Sequence, residues 1–275
     1  MMKQKAGIMT GMEKRDSLSP FPGRECICSR LHELADEEYR VFHSRLCPGT
    51  EGILGVRTPV LRQYARELLL EYGQQAAFSM YTLQPAPEGQ VRLDTGDYYY
   101  EEKLLTGLLL GLWKAPAPRE LEQKLVRFLP LIDNWAVCDM TCSGLKYIGK
   151  HREYFYPLLK SWLKSEETYT VRFGIVLLMD YYAEEMYLQE LLSLYEQIYH
   201  EDYYVKMAAA WAYSVLLVKF YQPVFDFLKN CSLDPLTFQK TIRKACESRR
   251  ISEEHKRELR LLKKKREDIT GKEKG

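Results

Sequence analysis

No apolar run in this chain approaches the roughly 20 residues that a membrane-spanning helix requires. The most hydrophobic windows, Leu104 to Trp113 and Val171 to Met179, stop well short. That excludes a helical span. Histidine is scarce, with five residues in 275, and the seven cysteines show no paired spacing. Cys26-Ile27-Cys28 and Cys138 with Cys142 come closest, and neither has histidines placed to complete a zinc set. No metal is expected. The odd cysteine count also speaks against a complete internal disulfide framework, so the thiols read as reduced and the chain as cytoplasmic. Cys138 would need a histidine partner to act as a nucleophile, and the sequence places none nearby. A surplus of one charge is missing too: 40 basic residues face 38 acidic ones, a formal net charge of +2. Binding to nucleic acid would therefore have to rest on where the basic residues sit, not on their excess.

Strict apolar alternation is nearly absent, and what replaces it is a recurrence at three- and four-residue steps from Glu25 to Arg266. With 46% hydrophobic and 28% charged residues, the chain has the composition of an ordinary globular protein. The expected class is all-α. Helices are predicted over Glu25 to Leu46, Pro59 to Glu71, Tyr98 to Trp113, Pro118 to Leu131, Asn134 to Gly149 and Tyr156 to Lys164. They continue over Glu167 to Tyr182, Met186 to His200, Tyr203 to Phe220, Pro223 to Lys229, Pro235 to Ser248 and Ser252 to Lys265. Thr58-Pro59 reads as an N-cap with a first-turn proline, Ser252 as a cap followed by Glu253 and Glu254, and Gly149 as a stop.

About a dozen helices with mostly short connections predict an α-solenoid of about six stacked antiparallel pairs forming a single curved domain. Any repeat would be structural, since none is strong in the sequence. The domain is expected over residues 24–266. A flexible tail, residues 1–23, would precede it, with no apolar stretch long enough for a secretory signal, and a basic tail, residues 267–275, would follow. Pro85, Pro87, Gly89 and Gly96 mark an exposed loop from Leu83 to Gly96.

Three apolar helices each carry one charged residue among residues that read as buried. They start Asn134-Trp135-Ala136-Val137-Cys138-Asp139, Val171-Arg172-Phe173, and Tyr203-Tyr204-Val205-Lys206-Met207 with Trp211 following. Trp135 and Asp139, four apart, share a helix face. A tryptophan ring beside a carboxylate suits a planar cation, and the alternative is core filling by the tryptophan with a surface aspartate beside it. In a solenoid, successive inner helices would bring Trp135, Asp139, Arg172, Lys206 and Trp211 into one cleft.

Gly55-Val56-Arg57-Thr58-Pro59 with Leu61-Arg62, then Asn134-Trp135 to Asp139, Arg172-Phe173 and Ala210-Trp211, taken in order, resemble the signature of the DNA alkylation repair family. These are the AlkD-like glycosylases built from HEAT-like helical repeats, and the likeness runs from about Glu38 to Arg266. The resemblance implies hydrolysis of the N-glycosidic bond of cationic N3- or N7-alkylated purines in double-stranded DNA held in a concave groove. It implies no metal and no organic cofactor, and the chain is expected to act as a monomer without a membrane.

By motif, Asp139 matches the catalytic carboxylate, Trp135 and Trp211 the aromatic pair at the lesion, and Arg172 the phosphate-clamping arginine. The alternative for Arg172 is a purely structural ion pair with Asp139. Arg57 and Arg62 flank the Gly-Val-Arg-Thr-Pro turn, and Lys146, Lys150, Arg152, Lys206, Arg243 and Lys244 are candidates for a basic rim on the phosphates. Two positions depart from the family pattern. Ser214 stands where a basic residue is expected three positions after the second tryptophan, and the early-helix aromatic falls on either Tyr39 or Phe42. The segments Lys240 to Arg249 and Tyr203 to Met207 look like a bacterial subgroup of the family. The competing reading is a non-catalytic helical-repeat protein that binds nucleic-acid structure or a protein through the same groove. An exposed Asp139 on a basic floor favours the enzyme, and an Arg172 to Asp139 pair favours the binder.

Overall fold

The computed structural model of the chain describes residues 20–74, 76, 79–83 and 97–272. The expected N-terminal tail up to residue 19, and the expected loop from residue 84 to 96, lie outside the described residues. Among the described residues there are fourteen α-helices and no strand. They are α1 (Arg24–Glu33), α2 (Glu37–Leu46), α3 (Thr58–Tyr72), α4 (Tyr100–Leu112), α5 (Pro118–Phe128), α6 (Trp135–Gly144) and α7 (Lys146–Lys150). The rest are α8 (Arg152–Trp162), α9 (Thr168–Tyr182), α10 (Leu188–Glu196), α11 (Tyr203–Lys219), α12 (Tyr221–Asn230), α13 (Pro235–Glu247) and α14 (Glu253–Lys272). No helix among the described residues is long and apolar enough to cross a membrane.

The helices sort into two kinds by burial. In α4 every residue from Tyr100 to Leu110 is buried, and in α9 every residue from Val171 to Met179. Such helices must be covered on all sides. In α5 only Leu121, Leu125 and Phe128 are buried, a stripe with one side left to water. Packing follows this division. Helices α3, α4, α6, α9, α11 and α13 form one row in which each lies against the next. Helices α5, α8, α12 and α14 cover α4, α9, α11 and α13 from the side. This order is consistent with an α-solenoid of stacked helix pairs.

Several boundaries differ from the sequence reading. The single helix expected over Glu25 to Leu46 is broken, because Asp36 leaves helical geometry, caps α2 by accepting from the Tyr39 amide at 2.9 Å, and gives its own N–H to the Gly55 carbonyl. The helix expected over Asn134 to Gly149 divides at Leu145, whose ψ of 50° ends α6, so Gly149 sits inside α7 and packs its bare backbone on the Tyr181 ring. Helix α8 starts at Arg152, ahead of the expected Tyr156, and carries Pro157 inside it, where the ring removes the bond an N–H would give to the Glu153 carbonyl. Helix α3 begins at Thr58 with Arg57 as the cap position, one residue earlier than expected. The Ser252 cap is present, its Oγ accepting from the His255 amide at 3.1 Å. Helix α14 continues to Lys272, past the expected end at Lys265.

Candidate functional site

An open cleft of about 550 Å³ lies where α6, α9, α11 and α13 pass the end of α2. Trp135 and Asp139 come from α6, Arg172 from α9, Tyr203, Tyr204, Met207 and Trp211 from α11, and Lys244 from α13. Arg45, Leu46 and Pro48 close one side.

Local chemistry fixes α6 at its first turn. Asn134 stands in extended geometry, its side-chain carbonyl accepting from the Val137 amide at 3.0 Å while its amide donates to Asp133 at 2.8 Å. Asp133 in turn holds the ammonium of Lys103, whose side chain is 1% exposed. The four-residue spacing then aims Trp135 and Asp139 at the cleft together. The Trp135 indole Nε1 donates to the Leu46 carbonyl at 3.1 Å, which ties the ring to the end of α2.

Asp139 is held by a fork. Arg172 Nε donates to Oδ1 at 2.9 Å and Nη2 to Oδ2 at 2.7 Å, with side-chain exposures of 7% for the arginine and 15% for the aspartate. Arg172 Nη1 donates to the Tyr204 carbonyl at 2.8 Å, so the first turn of α11 shares the same guanidinium. Burial opposes the Arg172 charge, but the hydrogen bonds and charge of Asp139 outweigh it and leave the guanidinium above its ordinary pKa. The arginine still has two N–H groups to offer, and each Asp139 oxygen one free lone pair. The ion pair that the sequence left as an alternative for Arg172 is therefore present.

Lys244 is half-buried in the same cleft and, among the described residues, has no hydrogen-bond or ion-pair partner. Burial pushes its ammonium below the ordinary lysine range; Arg172 and Lys240 add to this, and Glu247 and Asp139 oppose it. Three cations, Arg45, Arg172 and Lys244, thus face the one carboxylate of Asp139. Asp180 lies farther along α9 with part of its surface open to water; its carboxyl is pushed up to about 6, first by the protein mass around it and then by the charge of Asp139.

The structure brings together Trp135, Asp139, Arg172, Trp211 and Lys244, and it leaves the other candidates elsewhere. Lys206 does not join them, because it stands about 100° round α11 from Met207, the middle of the face that carries Tyr203, Met207 and Trp211. Its Nζ reaches Glu201 at 2.8 Å in a separate pocket with Asp234. Arg57 pairs with Asp36 at 2.8 Å and lies over the Tyr39 ring, and the exposed Arg243 pairs with Glu247 at 2.9 Å. Arg62 and Lys146 line a second pocket together. Arg152 pairs with Glu184, and Lys150 lies beside it. Ser214 is buried and donates to the Trp211 carbonyl at 2.7 Å, so it offers the cleft no charge. Tyr39 and Phe42 both lie on α2 outside the cleft lining, Phe42 largely exposed.

Sequence reasoning missed Tyr204, whose backbone carbonyl anchors Arg172, and the Arg45 to Pro48 wall. The first acts through a backbone carbonyl, which residue type does not signal, and the second has no local signal. Cys138 is fully buried, and burial pushes the thiol of Cys47, behind the Pro48 wall, up to about 11. Cys47 is thus held as the thiol.

A model of the DNA alkylation repair enzyme family matches residues 27–248. No curated protein and no solved structure gives a match. The matched span takes in the whole of α6, α9, α11 and α13, and hence every helix that builds the cleft. On that match, over most of its length, the chain belongs to the DNA alkylation repair enzyme family.

Proposed function

We propose that the chain is a DNA glycosylase that hydrolyses the N-glycosidic bond of cationic N3- or N7-alkylated purines in duplex DNA. The observation that carries this reading is the meeting of Trp135, Trp211 and Asp139 in one cleft. A cationic purine is a good leaving group, so the chemistry asks for little. The bond from C1′ to the base nitrogen breaks with its electron pair going to the base, which becomes neutral. Positive charge grows on the sugar, and a water oxygen bonds C1′ as its proton leaves to solvent. The tryptophan faces attract the cationic base and the electron-poor sugar. Asp139 stabilises the developing oxocarbenium charge and accepts a hydrogen bond from the water through its free lone pairs. The fork from Arg172 fixes the carboxylate, and the two spare N–H groups of Arg172 serve a phosphate. The reading includes a monomer in the cytoplasm, one domain over residues 24–266, and no metal or organic cofactor.

A second reading has one observation in its favour. The bidentate Arg172 to Asp139 pair already matches the carboxylate's charge, as it would in a protein that binds nucleic acid without cutting it. Free 3-methyladenine and 7-methylguanine released from methylated duplex separate the two. The wild type should release both, and Trp135→Ala and Trp211→Ala should each slow release by about tenfold, the loss of about 1.4 kcal/mol of stacking. Duplex binding with no release, at enzyme in excess and low salt, would establish the second reading.

Lys244 gives the cleft a pH signature. Its ammonium contributes to phosphate binding while protonated, and its lowered pKa means that this contribution is lost as pH rises through a value below the ordinary lysine range. Duplex affinity measured against pH should fall earlier than a normal lysine would dictate. In Lys244→Arg, whose guanidinium stays charged, that fall should vanish.

A further inference from the structure

Beside the row that carries the tryptophans lies a second pocket, of about 300 Å³, lined by Arg62 and Arg66 of α3, Gly111 of α4, Ser143 and Gly144 of α6, and Lys146 of α7. Its floor is backbone. Helices α4 and α6 meet there through two glycines, so closely that a Cβ on Gly111 would lie 3.0 Å from the Gly144 carbonyl carbon. The two glycines let the helices close to backbone contact, so no side chain stands at either position.

The charges around this pocket are uncompensated. Arg62 and Arg66 stand one turn apart on the same face of α3, a like-charged spacing that weakens a helix unless something else uses it. Lys146 adds a third cation from the opposite wall, and no carboxylate lines the pocket. Among the described residues none of the three has a hydrogen-bond or ion-pair partner. Elsewhere Arg40, Arg57, Arg152 and Lys160 all hold carboxylates. Helices α4 and α6 end at this pocket and draw cations with their carbonyl ends, but two helix ends supply only about half a negative charge each. Three full positive charges are not matched by that.

We propose that Arg62, Arg66 and Lys146 form a single seat for one phosphodiester of a duplex. The inference rests on the DNA-binding half of the proposed function and is independent of catalysis. Ser143, which lines the pocket, follows Asp139 by one turn on the same face of α6, about 6 Å along the helix. A strand presenting its sugar to Asp139 runs a neighbouring phosphate over the pocket. Two arginines and a lysine then surround its oxygens, with the glycine floor letting the phosphate approach the helix backbones closely.

The experiment is the salt dependence of binding to unmodified duplex, which needs no base release and so does not depend on whether the chain is an enzyme. Arg62→Ala, Arg66→Ala, Lys146→Ala and the triple variant are compared with wild type and with Lys164→Ala, an exposed cation in the turn that follows α8, as control. Three cations on one phosphate displace one phosphate's counterions, so the slope of log affinity against log salt should fall by about one in the triple variant. The control slope should not move. A fall of about three would mean three separate phosphates, and an unchanged slope would mean no phosphate; either overturns the seat. Titrating wild type with inorganic phosphate adds a second arm. Saturation there that the triple variant abolishes, with the duplex slope unchanged, would identify a free-anion site and overturn the seat as well.

Discussion

Asp139→Leu is expected to destabilise the fold by about 3 kcal/mol, whereas Asp139→Leu combined with Arg172→Met should recover most of that loss. Taking away one partner of a buried ion pair leaves an unmatched charge, which costs about 3–5 kcal/mol, while an apolar pair of similar volume is often neutral. The lower figure applies here because Asp139 is 15% exposed and the cleft admits water. Arg172 also keeps the Tyr204 carbonyl, so the orphaned guanidinium is not bare. Urea unfolding reads the effect as a shift in midpoint at constant slope. Equal loss in the single and double variants would show that the pair is not what the aspartate contributes.

Glu101→Ala is expected to cost about 3–5 kcal/mol, measured the same way. The Glu101 carboxylate is fully buried on α4 and accepts from three consecutive backbone amides: Leu54 at 2.9 Å, Gly55 at 2.8 Å and Val56 at 3.1 Å. Alanine would leave the buried N–H groups of Gly55 and Val56 without a partner and strip the partly buried one of Leu54. Gly55 cannot adjust to help. Its φ is +95°, and an added Cβ would come within 2.5 Å of the Asp36 carbonyl, so the turn accepts only glycine. Through this turn Glu101 holds Asp36, Asp36 caps α2, and α2 supplies Leu46, which holds Trp135. A site helix and a stability residue are thus one construction, and Glu101→Gln, which keeps one accepting oxygen, should fall between wild type and alanine. A loss under about 1 kcal/mol in alanine would contradict this.

How far the sequence speaks depends on how local the cause is. Helix periodicity is a local cause, and the helical class follows from it. The break at Asp36 was not visible because Ala35-Asp36-Glu37-Glu38 is compatible with helix, and only the distant Gly55 carbonyl diverts it. Trp135 with Asp139 was legible because four residues on one helix fix a face. Lys206 misses the cleft because its charge does not set its helical phase; its neighbour Met207 carries the cleft face. The α2 wall was out of reach altogether: Leu46 meets Trp135 across 89 residues of sequence. Arg172 was assigned a partner correctly as an alternative, yet the Tyr204 carbonyl that completes its fork belongs to backbone and leaves no mark on residue type.

Single-turnover release of 7-methylguanine from methylated duplex, wild type beside Asp139→Asn, tests the central claim most directly. Asparagine keeps the size and one accepting oxygen but removes the charge that the proposed mechanism sets against the sugar. The account predicts release by wild type, a fall of at least about a hundredfold in Asp139→Asn, and retained duplex binding in both. Equal rates in the two proteins, or a wild type that binds duplex and releases nothing, would contradict it.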